Sequence, residues 1–423
     1  MIISNVNFVD PVTETINNCD IKTDLGRITA FAAAGSLKDD GDGFIDATGL
    51  CASPSFCDIH SHFRDPGFTY KEDILSGAEC AKRGGYTDII LMANTNPAVD
   101  NAETLLYIQN RCLETGIHVQ TCGSVTKGLK GEELTDMADL KARGAVGFTD
   151  DGIPLMDEIL LEKAMEICKS LDVPISLHEE DKNLIKESGV NTGEASAHYG
   201  IGGAPREAEY KLVARDIELA KKTGVRLDVQ HVSCKETVEL VRKARKAGFK
   251  NIYAEATPHH ISMTENALFE YGSNAKMNPP LRTEEDRQAI IEGIKDGSIS
   301  FIATDHAPHS KEEKDRPLLK APSGILGLET AFSIGYEFLV ESGAIKLPKL
   351  IRLLTLEPRQ FYNMKCPAVG VNDPADLVIF DINAKWRFTK SKSKSFNTPL
   401  KDRVMHGKIK YTLCGGKIVY EEI

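Results

Sequence analysis

Between residues 56 and 306 the sequence repeats one rhythm eight times. A short apolar run rich in β-branched residues is followed by a longer stretch with helical spacing, and the cycle restarts. The runs are FCDIHSH (56–62), TDIILMANT (87–95), HVQTCGS (118–124), AVGFTDD (145–151), PISLHEE (174–180), RLDVQHV (226–232), NIYAEATPHH (251–260) and SISFIATDH (298–306). Strands alternating with helices imply parallel neighbours, because each helix returns the chain to the start of the sheet. Eight such units predict an α/β fold, a (β/α)8 TIM-type barrel, rather than an open doubly wound sheet. No Gly-rich dinucleotide fingerprint follows the first run, which also speaks against the open sheet. Stretches such as MDEILLEKAMEICKSL and PREAEYKLVARDIELAKKTG supply the helices, the second ending in Gly after basic residues. Two connections are long, 181–225 and 307–330, and long loops after barrel strands usually line the active site.

The ends of the chain read differently. IISNVNFVD, CDIKTDLGRITAFAA and GDGFIDATG are short alternations broken by Asn, Asp and Gly, and the tail matches them with ADLVIFDI and HGKIKYTLCGGKIVYEE. These predict small antiparallel strands, with Gly-Gly at a hairpin. The expected organisation is a small β-sandwich domain from residues 1–52 and 366–423, with the barrel, 53–365, inserted between its halves. A chain of 423 residues with 41% hydrophobic residues can bury a large core without staples. Ten scattered cysteines without a CxxC pair predict reduced thiols and a cytoplasmic setting. A net charge of −11 argues against nucleic acid and anionic membrane surfaces as partners. No run approaches the ~20 apolar residues of a membrane span, and no signal peptide is visible. Lys390, Lys392 and Lys394, interleaved with serines, are expected in a solvated loop.

The chemistry concentrates at the carboxyl ends of the runs. His60 and His62, two apart on a strand, share a face and can chelate one divalent ion. Asp151, His178, His231 and Asp305 close the fourth, fifth, sixth and eighth runs, where a barrel puts its active site. Taken singly, Asp151 can equally cap a helix, Asp305 a turn, and either histidine can be a satisfied core residue. Together, four imidazoles and two carboxylates suit zinc, with Mn or Co possible. Six ligands exceed one tetrahedral site, so two metals are expected, with Asp151 able to bridge them. A hydroxide between two metals is a nucleophile at neutral pH, and Asp305 beside it is the natural general base and acid.

At these residues the sequence resembles the dihydroorotase family of the amidohydrolase superfamily, in its long bacterial form, over essentially the whole chain. DIHSHFRDPG (58–67), MANTNP (92–97), FTDDG (148–152), HEED (178–181), QHVS (230–233), PHH (258–260), KMNPPLR (276–282), ATDHAPH (303–309) and GLETAF (327–332) carry the resemblance. It implies His60 and His62 on one metal, His178 and His231 on the other, Asp151 bridging and Asp305 completing the site as the catalytic proton shuttle. It implies two Zn2+ per chain. It also implies that His62, Arg64, Asn94, Asn278 and His309 hold the substrate, with Ser323 and Gly324 in the substrate loop. Arg64 offers a planar, charged fork to a substrate carboxylate. As bland alternatives, Arg64 can be a surface ion pair and Asn94 or Asn278 a turn former beside Pro. Ala93 stands where the family commonly has Pro, and Ser323 where an aromatic residue is common.

The implied reaction is reversible cyclisation of N-carbamoyl-L-aspartate to (S)-dihydroorotate and water, in de novo pyrimidine biosynthesis, by metal-held hydroxide. The resemblance admits a homodimer and a complex with aspartate transcarbamoylase, and a non-catalytic scaffold as the opposite case. Hydantoinases and allantoinases are the neighbouring alternative. Hydantoinases resemble one another in bridging their metals with a carboxylated lysine on strand four, and AVGFTDDG contains none. His306 is expected to be structural or to support a metal ligand from behind, His259 and His260 to end the seventh strand with one able to support a ligand in the same way, and HSKEEKDRPLLK (309–320) to face solvent rather than close over substrate. His118, His198 and His406 have no role in this reading.

Overall fold

The computed structural model describes residues 1–39, 41–365 and 369–422. The N-terminal alternations form strands β1 (Ile2–Asp10), β2 (Thr15–Asp24), β3 (Arg27–Ala33), β4 (Phe44–Asp46) and β5 (Cys51–Pro54). β1 and β2 pair antiparallel, with a register shift between Ile3 and Val6. Asn5, at φ 56°, absorbs the shift; Asn tolerates the left-handed region better than most residues. The buried Asp20 carboxylate accepts the backbone N–H groups of Asn5, Gly35 and Leu37 at 2.8, 2.9 and 2.8 Å. One side chain thus holds both the bulge and the exit from β3.

The repeated rhythm folds as parallel strands β6 (Phe56–Ser61), β7 (Tyr86–Leu91), β8 (His118–Thr121), β9 (Ile175–Leu177), β10 (Leu227–Val229), β11 (Ile252–Ala256) and β12 (Phe301–Ile302). They pair as β6-β7-β8 and as β9-β10-β11-β12. Three isolated bridges join these arcs. Phe148, from the fourth run, bridges Gly123 on one side and Ile175 on the other, and Ser61 bridges His306. The fourth strand is therefore a single bridging residue. Asp150 turns away from the ladder to accept the N–H groups of Val125 and Thr126 at 2.7 and 3.1 Å. The whole is a TIM-type barrel.

The seventh run departs from expectation. β11 stops at Ala256, and Thr257 caps a short helix, Pro258–Ser262, by accepting the His260 N–H at 3.2 Å. Proline at the first helical position starts that turn, so His259 and His260 sit on a helix rather than ending a strand.

After the barrel come β13 (Leu377–Arg387), β14 (Val404–Cys414) and β15 (Lys417–Glu421). They extend the terminal strands into one sheet of order β15-β14-β13-β5-β1-β2-β3, with β4 beside β1. Gly415 and Gly416, at φ 54° and 72°, make the β14–β15 turn, a conformation other residues resist. The two-residue period of β13 divides its contacts. Leu377 and Ile379 join Ile3, Val6 and Ile21, while Val378 and Phe380 join the barrel cluster around Phe56 and Phe332. Each such side chain contributes roughly 1.5–3 kcal/mol on burial. β5 crosses the expected boundary at 52/53, since it pairs with both β1 and β13. The expected boundary at residue 366 lies outside the described residues.

Arg359, on the helix Leu347–Phe361, clamps the barrel floor. It donates to Asp88 at 2.5 Å and to the Ser55 and Thr355 carbonyls at 3.0 Å. The lysine segment is only half solvated. Lys390, Lys392 and Lys394 are exposed, but the intervening Ser391 and Ser395 are buried, bonding Glu329 and the Lys71 carbonyl. Among the described residues no helix is long and apolar enough to cross a membrane.

Candidate metal centre and active site

His60 leads the site. Its Nδ1 lies 2.5 Å from Glu255 Oε1, and its Nε2 is buried without a hydrogen-bond partner among the described residues, 3.5 Å from Asp151 Oδ1. His62 brings Nε2 to 3.5 Å from Asp151 Oδ2 and 3.1 Å from Asp305 Oδ1. On the other side, His178 Nδ1 and His231 Nε2 are 2.8 Å apart, each 3.8 Å from Asp151 Oδ1. Two donor triplets result, His60–His62–Asp151 and Asp151–His178–His231, each with its atoms within 4.8 Å of one another. Asp151 belongs to both. Tetrahedral bonds of about 2.0–2.2 Å put neighbouring N and O donors ~3.4 Å apart, and the His60 and His62 spacings fall close to that. An orphaned imidazole nitrogen facing a buried carboxylate at such a spacing fits a divalent metal ion. Asp151 does not cap the following helix; Asp157 does.

The neighbours orient these candidate ligands. Glu255 also accepts the His231 backbone N–H at 2.9 Å, so one carboxylate holds one residue from each triplet. Asn94 accepts from His62 Nδ1 at 2.9 Å and donates to Asp151 Oδ2 at 2.9 Å. Glu180 lies 3.1 Å from His178 Nε2. Asp58 accepts the Thr304 N–H at 2.8 Å, fixing the segment that delivers Asp305. Burial pushes the Asp305 carboxyl up, but His62, His60 and His231 outweigh it and hold it well below the ordinary range. Arg64, His231 and Asp305 have φ of 58°, 34° and 46°. Backbone strain of this kind gathers at functional sites, where packing over-determines it.

A cavity of about 240 Å³ opens above the triplets. His62, Arg64, Asn94, Asp151, Gly152, His178, His231, Asn278, Asp305, Ala307, His309, Ser323 and Gly324 line it. Every residue nominated from the sequence as a metal or substrate contact is thus either on this wall or, for His60, buried directly behind it. Arg64 donates Nε to the Pro308 carbonyl at 3.3 Å and makes no ion pair among the described residues, unlike a surface salt bridge. Burial, with Arg64 and Lys71 nearby, outweighs Glu313 and pushes His309 down to about 3, so its ring is neutral at pH 7. Asn278 takes the Ser188 hydroxyl at 2.5 Å and places its amide nitrogen 3.4 Å from His178.

His259 and His260 are buried beside the site but in neither triplet. His306 is buried, with Nδ1 accepting the Gly327 N–H at 3.2 Å. The segment 309–320 is not wholly solvent-facing. Lys314 is buried and donates to the Pro322 and Gly324 carbonyls at 2.9 and 3.1 Å, and Glu313 pairs with Lys71 at 3.0 Å. Glu255 was not marked by the sequence reading. The signal was available: a lone carboxylate inside the apolar strand IYAEA must find a buried partner.

Residues 50–237 match the family model described as Dihydro-orotase-like. The chain is 46% identical to the dihydroorotase of Clostridioides difficile (strain 630), covering 99% of both chains. It is 46% identical to that of Clostridium acetobutylicum over 100% of both, and 44% identical to that of Lactococcus lactis subsp. lactis over 100% of this chain and 99% of the relative. Among solved structures, L-hydantoinase (dihydropyrimidinase) from Arthrobacter aurescens superposes with a TM-score of 0.88 at 23% identity, covering 99% of this chain and 96% of that one. Dihydropyrimidinase from Brevibacillus agri NCHU1002 gives 0.84 at 21% identity, over 99% and 95%. At those identities the superpositions establish the shared fold alone.

Proposed function

The chain belongs to the dihydroorotase family, a family of cyclic-amide hydrolases, and from that premise we propose that it interconverts N-carbamoyl-L-aspartate and (S)-dihydroorotate in cytoplasmic pyrimidine biosynthesis. The observation that carries this reading is the sharing of Asp151 by two donor triplets in a cavity that also presents Arg64 and Asp305. In this reading His60 and His62 would hold one zinc ion and His178 and His231 a second, with Asp151 common to both donor sets. When bound, the metals supply Lewis acidity and a water activated near neutral pH. The chain's own residues do the rest. Arg64, with Asn94 and His309, captures the ring carboxylate; Asn278 and the Ser323–Gly324 loop hold the amide edge. Asp305 takes one proton from the attacking water and passes it to the ring nitrogen as the carbon–nitrogen bond breaks; the water's other proton is lost to solvent as the new carboxyl group ionises to a carboxylate. The reverse transfer closes the ring. The terminal segments 1–52 and 366–423 act as one domain around the barrel 53–365.

The hydantoinase alternative meets an obstacle in the residues: the group between the two histidine pairs is Asp151, and the fourth run carries no lysine. Zinc per chain and turnover should be measured on one sample, with dihydroorotate beside a hydantoin. Asp305→Asn should keep its metal and lose turnover by about 10²–10⁴-fold; near-wild-type turnover would remove Asp305 from the shuttle. A homodimer and a complex with aspartate transcarbamoylase are compatible with this site, and size-exclusion chromatography with and without that partner tests both.

A further inference from the structure

A second cluster of metal-type donors lies at the seam between the barrel and the terminal sheet. His118 opens β8, Asp376 immediately precedes β13 and Cys414 ends β14. His118 Nε2 is 3.5 Å from Cys414 Sγ and 3.4 Å from Asp376 Oδ2, and the three donor atoms lie within 4.8 Å of one another. Both partners face the same ring nitrogen. A thiol–imidazole–carboxylate relay would put them on opposite nitrogens, so the arrangement is convergent rather than catalytic. Its spacing is also not that of a charge-assisted hydrogen bond, which brings N and O to about 2.7–2.9 Å. With Zn–N, Zn–S and Zn–O bonds of about 2.0, 2.3 and 2.1 Å, tetrahedral angles separate N from S by ~3.5 Å and N from O by ~3.4 Å.

The cluster is built rather than incidental. Asp376 commits Oδ1 to the Gly415 N–H at 2.6 Å, leaving Oδ2 to face the histidine. The Gly416 N–H bonds the Ala375 carbonyl at 2.9 Å, so the hairpin that carries Cys414 is tied to the residue beside Asp376. His118 is half exposed and lines a cavity of about 650 Å³, so the ring that joins the other two donors is reached from solvent. A mixed thiolate, imidazole and carboxylate set selects a borderline ion such as zinc over magnesium or calcium.

We propose that His118, Asp376 and Cys414 form a zinc-type site, separate from the catalytic triplets, that clips β8 of the barrel to β13 and β14 of the terminal sheet. The catalytic triplets contain no cysteine, which makes the two sites spectroscopically distinct. The test is cobalt substitution of the reduced, metal-loaded protein, with metal counted per chain. Wild type should show a near-ultraviolet thiolate-to-cobalt charge-transfer band and bind one more ion per chain than Cys414→Ser. That variant should lose the band and keep turnover. His118→Ala, an exposed truncation, gives the same comparison if Cys414→Ser does not fold. Zinc should also raise the melting temperature of wild type above that of either variant. Absence of the band in wild type, or a band of equal intensity in both variants, would overturn the proposal.

Discussion

Glu255→Gln isolates the contribution of one carboxylate to metal binding. Glu255 is fully buried, and its Oε1 accepts from His60 Nδ1 at 2.5 Å and from the His231 backbone N–H at 2.9 Å. Glutamine keeps the shape and can still accept through its oxygen, but it removes the charge that would make His60 a strong metal ligand. Loss of such an outer partner costs about 10–100-fold in metal affinity, which is ~1.4–2.8 kcal/mol. Glu255→Ala goes further and leaves two buried donors unpaired. At about 1–3 kcal/mol per orphaned donor, the metal-free protein should lose about 2–6 kcal/mol of stability. Chelator competition reads the first effect, and denaturant unfolding of the metal-free protein reads the second. Metal affinity within threefold of wild type in Glu255→Gln, with unchanged stability in Glu255→Ala, would refute the reasoning.

Three other perturbations follow from the geometry. Arg64→Ala should raise KM for dihydroorotate far more than it lowers kcat, because the contact proposed for it is to an unreactive carboxylate; steady-state kinetics with an unchanged KM would remove the clamp. Arg359→Met breaks the buried pair with Asp88 and should cost about 3–5 kcal/mol in denaturant unfolding. Burial pushes the Asp20 carboxyl up, but the N–H groups of Asn5, Leu37 and Gly35 and the Ser4 hydroxyl outweigh it, lowering it from 3.8 to about 2. Its contribution is therefore complete above about pH 4 and lost as pH falls toward 2. Asp20→Asn should flatten the acid limb of the stability curve across that window, and an unaltered limb would exclude the linkage.

The site was more legible than the fold that carries it. Side-chain type and position at the ends of eight runs sufficed to nominate His60, His62, Asp151, His178, His231 and Asp305, because a barrel gathers its strand ends whatever lies between. Strand four was legible as a run but not as a single residue. Its length is decided by Asp150, whose preference for the Val125 and Thr126 N–H groups is a tertiary choice. The end of strand seven was misjudged because Thr257 and Pro258 form a helix start that an apolar run conceals. Glu255 escaped notice because its partners lie on β6 and just after β10, and sequence spacing carries no trace of them. The lysine segment misled through charge: lysines set the composition, while the serines between them make the buried contacts.

β5 has a consequence for how the chain is made. One edge of β5 pairs with β1 at Asn7 and Phe8, both synthesised early; the other pairs with β13 from Leu377 to Phe380. On the ribosome, β5 must therefore wait through translation of the whole barrel with one edge unsatisfied. An exposed edge is a template for wrong pairing, and long-range pairing forms late. A nascent chain arrested before residue 377 would carry the four histidines and the shared Asp151 of both donor triplets yet keep this edge exposed. Chaperone capture and proteolytic nicking should concentrate there until the last strands emerge to close it.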